Sequence, residues 1–267
     1  MLDNRKTPLL IILLFIILSL PFILVLQGQT SKETSDTKLK SKQLENTTPD
    51  IRADYPSVEY SSEISMDAVR KGKSEKYNKV LVEVLNPNVN KNDVVVSYLN
   101  WAIDLPPLPV EKSNLVLIGK IVQAQAYLSD NKTSVYSEFK IEVEKVLKNN
   151  KKKDFEEDKY INVEREGGIV RFLSGYETFY FVSGQRMPKV NHRYVLFLTH
   201  EFPLLGYQKR DFYLLTAYEL REGNVFPLDE PGGGTHPIAT LYKGKKETVL
   251  LNNLQDVINN SINNLPK

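Results

Sequence analysis

The chain has no cysteine among its 267 residues. Disulfides, thiolate metal sites, a cysteine nucleophile and a lipid-modified N-terminal cysteine are therefore excluded, and any exported domain must be held by packing. Histidine is nearly as scarce, with only His192, His200 and His236 present. Metal and triad hypotheses can thus be enumerated. An excess of one charge is also lacking: 35 basic residues face 33 acidic ones for a formal charge of +2. No bulk field exists to hold a polyanion, so nucleic acid is set aside as a partner. Familiar motifs are missing too. There is no H-E-x-x-H, and Leu173-Ser174-Gly175 lacks the first glycine of a nucleophile elbow. Gly232-Gly233-Gly234-Thr235 is followed by neither a lysine nor a helical pattern, so it reads as a loop and not as a phosphate cradle.

One long hydrophobic run is present. It opens at Thr7 and stays uncharged through Leu26, which as a helix gives about 30 Å, the thickness of a bilayer core. Its exit through Val25-Leu26-Gln27-Gly28 is a poor cleavage site, so the run reads as an uncleaved signal anchor with Pro21 as a tolerated kink. Arg5 and Lys6 flank one end, and Lys32, Lys38, Lys40 and Lys42 lie near the other. Long domains cross largely regardless of such charges, so the expectation is a single-pass cell-membrane protein with its C-terminal bulk extracytoplasmic. The bilayer is then one partner, through residues 7–26.

Residues 27–60 are rich in Ser, Thr, Lys, Glu and Asp, and read as a flexible polar tether. Residues 61–112 form a lead-in. A short helix is expected through Ile64, Ala68 and Val69, then strands over 79–85 and 93–99 separated by Asn86-Pro87-Asn88. Leu105-Pro106-Pro107-Leu108-Pro109 reads as a stiff extended connector packed on the domain rather than a docking motif.

The soluble part is organised around 115–147. Phe139, Ile141 and Val143 alternate with Glu138, Lys140, Glu142 and Glu144, the period of a strand with one wet face. Leu115-Val116-Leu117-Ile118 is apolar on both faces up to Gly119, as in a strand covered on both sides or bent where a barrel closes. After Glu144 the alternation slips to Val146 and Leu147, which predicts a bulge. Ser129-Asp130-Asn131-Lys132-Thr133 is the turn between the halves. Further strands are expected through Ile161 and Val163, over 194–198, and as a hairpin of 212–220 with 225–228; Gly167-Gly168 marks a turn. The run 148–159, with Lys151-Lys152-Lys153 beside Asp154, Glu156, Glu157 and Asp158, is a solvated loop tip. Leu250, Leu251, Leu254, Val257, Ile258, Ile262 and Leu265 keep helical spacing and predict an amphipathic helix docked on the core.

With its Glu144-Lys145-Val146-Leu147-Lys148 strand ending and the run Tyr194-Val195-Leu196-Phe197-Leu198, the segment 113–228 resembles OB barrels of the netrin and tissue-metalloproteinase-inhibitor type. Residues 105–109 and 137–148 also resemble bacterial membrane-anchored exported proteins, a likeness that brings no mechanism with it. The inhibitors act through an N-terminal cysteine that chelates a protease zinc. None exists here, so the resemblance implies the fold and not the activity. The fold expected is mainly β: an OB-like barrel of the netrin-module type with an N-terminal transmembrane helix and a C-terminal amphipathic helix. Its divisions are 1–26 anchor, 27–60 tether, 61–112 lead-in, 113–230 barrel, and 231–267 loop and helix.

The best candidate site is the stretch from Arg171 to Val190, read as a long loop carrying Phe172, Tyr176, Phe179, Tyr180, Phe181, Arg186 and Met187. Tyr and Arg are favoured where surfaces bind, and long loops inside compact domains are often functional. The competing reading is that these aromatics cap a barrel end. His192, His200 with Glu201, and His236 are the weak metal candidates. The expectation is a non-catalytic module binding a protein, peptide or envelope polymer without a cofactor. The alternative is an envelope hydrolase, metal-dependent through those histidines or working with a carboxylate pair.

Overall fold

The computed structural model describes residues 51–62, 68–78, 95–100, 104–150, 159–201 and 208–263. All lie in the second of two units, Ile51–Lys267, into which the chain divides. The apolar run 7–26, the strand expected over 79–85 and the charged tip 151–158 fall outside them. Among the described residues no helix is long and apolar enough to cross a membrane.

The central hairpin forms as its alternation requires. Strands β3 (Leu115–Leu128) and β4 (Val135–Asn149) run antiparallel on either side of the expected turn. Their register slips between Val116 and Leu117, whose partners are Lys148 and Val146, and again between Ile118 and Gly119, whose partners are Lys145 and Val143. Each slip leaves an extra residue on β4, where the alternation breaks after Glu144. Bulges bend and twist a strand. So β3 curls away from its first partner and pairs, from Leu115 to Lys120, with β8 (Arg193–Glu201).

The remaining strands close a ring. Strand β5 (Tyr160–Glu166) joins β4 antiparallel, and β9 (Gln208–Arg221) joins β8 antiparallel. A short parallel contact, Val163 with Phe212 and Glu164 with Tyr213, links β5 to β9. The order around the ring is β3, β4, β5, β9, β8 and back to β3. Strand β10 (Asn224–Pro227) lies on β9 through a turn in which Glu222 and Gly223 both have positive φ, 54° and 71°. That two-residue geometry matches the twist of the flanking strands.

Leu115, Leu117, Phe139, Ile141, Val143, Val163 and Leu196 belong to the barrel core. Val116, Ile118, Val195 and Phe197 are buried in a second cluster. Leu105 of the connector and Val110 just after it cover them, with helices α2 (Pro237–Thr240) and α3 (Glu247–Asn263). The doubly apolar start of β3 is therefore covered on both faces. The Tyr218 hydroxyl ties the connector down, 2.7 Å from Pro107 O and 3.2 Å from Ile238 O. Helix α3 docks through Leu250, Leu254 and Ile258, as its spacing predicts.

A second sheet has the order β1 (Ser57–Glu59), β6 (Gly168–Arg171), β7 (Glu177–Ser183), β2 (Val95–Asn100). Only Gly167 separates β5 from β6, with φ +114; a Cβ there would lie 2.8 Å from Met187 Cε and 2.9 Å from Tyr180 O. Glycine lets the chain change sheets in one residue. Two readings change. The last residues of the expected tether are structured: Ile51–Asp54 forms a 3-10 turn, Tyr55 enters the barrel core, and β1 pairs parallel with β6. The short helix, α1 here, spans Ala68–Lys76, but Val69 is 67% exposed while Lys73 and Ser74 are buried. Its buried side is the polar one.

Candidate binding surface

The stretch read as a loop from Arg171 to Val190 is instead a braced hairpin. Its β strands were illegible because they are short, and the strands that flank them come from distant segments, β1 from the end of the expected tether and β2 from the lead-in. The tip spans 172–176, where Phe172 N–H donates to Tyr176 O at 2.8 Å and Gly175 N–H to Phe172 O at 2.9 Å. Gly175 has φ +84, the left-handed conformation such a turn favours in glycine. Below the tip, Arg171 and Glu177 are cross-strand partners with a 2.8 Å ion pair.

The hairpin sorts the predicted residues into three groups. Phe179 is not on the surface: it is 3% exposed, joins the barrel core, and meets Tyr55 edge to face at 4.6 Å. Met187 is likewise buried there, so for these two residues the barrel-capping reading holds. Tyr180 and Phe172 are half-buried against Ala126, Leu128, Val135 and Val170, and burial raises the pKa of the Tyr180 hydroxyl. Tyr176 is half-buried near the tip.

Arg186 belongs to the base. Its backbone N–H donates to Asp229 Oδ1 at 2.9 Å and its guanidinium to Glu230 Oε2 at 3.3 Å. The base is locked by Arg165, whose Nη2 reaches both Asp229 oxygens at 2.9 and 2.8 Å, with both side chains fully buried. Arg165 Nη1 donates to Arg186 O at 2.7 Å, and the Tyr55 hydroxyl donates to Gln185 O at 3.0 Å. Burial pushes that hydroxyl up to about 12. Such a lock holds the hairpin in one direction.

At the tip, Leu173 is 90% exposed, the most exposed large apolar side chain among the described residues. Beside it Phe172 stacks on Tyr60 at 4.7 Å, and Tyr60 N–H donates to Arg171 O at 2.8 Å. Lys132, from the β3–β4 turn, donates to Tyr60 O at 3.1 Å and lies 5.1 Å from the Tyr60 ring centre. The surface is an apolar tip with an aromatic flank and one cation. Leu173, Tyr60 and Lys132 were missed because a lone leucine, a tether tyrosine and a turn lysine carry no periodic signal.

The hydrolase candidates do not converge. His192 Nδ1 lies 2.8 Å from Glu219 Oε1, at the start of β8. His200, near the other end of that strand, stacks on Phe212 at 4.1 Å. His236 Nδ1 accepts from Ile238 N–H at 3.2 Å and so caps α2. The Glu201 side chain lies outside the described residues. Among the described residues no three His, Cys, Asp or Glu side chains gather as a metal site. A carboxylate pair does form, Glu138 opposite Glu164 on β4 and β5. Both are buried beneath α1, in ion pairs with Lys73.

Comparison of the chain with protein-family models, with curated proteins and with solved structures finds no match.

Proposed function

We propose that this protein is a single-pass, membrane-anchored, extracytoplasmic binding module. Its OB-like barrel of the netrin-module type displays the β6–β7 hairpin to a partner protein, peptide or envelope polymer, and it does no chemistry. The strand order of the ring and the parallel β5–β9 contact support the OB-like reading. The uncharged run from Thr7 to Leu26 supports the anchor. The exposed Leu173 on a braced, aromatic-flanked tip is the observation that carries the site. A preorganised apolar tip binds without first paying to order a loop.

Full-length protein taken from its native membrane with reversible crosslinking tests this. Leu173→Ser with Tyr176→Ala is expected to cut capture of a specific partner at least about tenfold, while stability falls by no more than about 2 kcal/mol, Leu173 being exposed and Tyr176 half-buried. Undiminished capture by the folded double variant sinks the site.

A further inference from the structure

Helix α1 reverses the usual amphipathic arrangement. Positions 70, 73, 74 and 77 share one side at helical spacing and carry Arg70, Lys73, Ser74 and Tyr77 where a docked helix ordinarily carries apolar residues. These are the residues that meet the barrel. Arg70 pairs with Glu138 at 2.5 Å and lies over the Tyr127 ring at 3.8 Å. Lys73 Nζ is 3.2 Å from Glu138 and 3.6 Å from Glu164. Lys76 is 3.4 Å from Glu164, which also accepts from the Tyr77 hydroxyl at 2.9 Å. Tyr77 stacks on Tyr136 at 4.2 Å. No residue of α1 belongs to either of the two main apolar clusters.

The barrel side of this contact is costly in itself. Glu138 and Glu164 are directly opposed across β4 and β5, and like charges so placed weaken a ladder. Both are buried, which demands counter-charge. The chain meets that demand with a basic helix instead of replacing the carboxylates. Whatever stands in for α1 must therefore bring cations at the same helical spacing, or leave a buried carboxylate uncompensated.

We propose that α1 is a displaceable plug: a basic helix held by ion pairs, with Tyr77 stacked at its end, over a cation-accepting face of the barrel, displaced by a lysine- or arginine-rich segment of a partner protein. The β3–β4 turn reaches both this face and the hairpin tip, Asp130 N–H donating to Ser74 O at 3.3 Å and Lys132 to Tyr60 O at 3.1 Å; the two readings are tested by different variants.

Hydrogen exchange on the full-length protein at about 0.01 M and about 1 M salt, where the screening length falls from roughly 30 to roughly 3 Å, tests the latch. Amides of α1 are expected to exchange at least about threefold faster at high salt, a modest factor because buried pairs are screened less than exposed ones, while those of β3, β4 and β8 hold their rates. If α1 exchanges only together with the barrel at both salts, it is an integral element and the proposal is overturned. A synthetic peptide of residues 66–78 tests the face in trans. It is expected to bind full-length protein carrying Arg70→Gln, Lys73→Gln and Lys76→Gln, and to lose binding when its own Arg and Lys are replaced by Gln. Absence of binding to a variant whose strand exchange is native contradicts the proposal. If that variant does not fold, the wild-type salt response decides. Leu173→Ser should leave both readouts unchanged.

Discussion

Asp229→Ala is expected to destabilise the domain by about 3–5 kcal/mol, a large share of the roughly 5–15 kcal/mol that holds a domain folded. Asp229 and Arg165 are both fully buried, and the carboxylate is the only group in their pair that neutralises the guanidinium. The other Arg165 contacts, Gln185 Oε1 at 3.4 Å and Arg186 O at 2.7 Å, are neutral acceptors. Removing the carboxylate leaves a positive charge out of water and also strips the acceptor from Arg186 N–H. Replacing both members by apolar residues, Arg165→Met with Asp229→Leu, is expected to recover much of the loss, because the burial cost then disappears from both sides. Denaturant midpoints of the two variants beside the wild type measure this. Equal losses would show that the pair acts through its shape and not its charge.

Gly119→Val is expected to cost more than about 3 kcal/mol, beyond the ordinary range for overpacking. A Cβ at 119 would stand 2.6 Å from Ile141 Cγ2 and 2.8 Å from Glu142 O. The first obstacle is a core side chain. The second is backbone, held in register where Glu142 faces Tyr160 on β5. Gly119 also faces Tyr194 on β8, so β3 cannot retreat without opening the ring. Thermal unfolding of Gly119→Ala and Gly119→Val checks the effect; a loss under about 1 kcal/mol for valine would mean that the ring flexes more than its packing implies.

Periodic features were legible and pairwise ones were not. The alternation of Phe139, Ile141 and Val143, the slip after Glu144 and the spacing of Leu250, Leu254 and Ile258 each specify a face, and each element forms. The hairpin of 212–220 with 225–228 was equally readable. By contrast, ring closure rests on two residue pairs between β5 and β9, which no local pattern announces. Arg165 and Asp229 are 64 residues apart and look like surface charges in the sequence. Tyr55 sits in a polar stretch whose composition argues for a tether, yet one buried ring is enough to anchor it. Helix α1 misleads most directly: Val69 suggests the buried side, while the basic residues take it.

The same contrast divides the candidate site. The aromatic richness of 171–187 was visible, but not which rings turn inward. Phe179 faces the core because β6 and β7 pair, and the tip projects because Gly175 turns the chain. The residue that ends most exposed, Leu173, had no distinguishing neighbourhood in one dimension.

The most direct measurement places a photo-crosslinking amino acid at Leu173 in the full-length protein in its native cells, with Lys243, an exposed residue outside the hairpin, as the control position. The binding-module account predicts a discrete crosslinked product from position 173 that position 243 does not give. Products that are absent at 173, or identical from both positions, would contradict it.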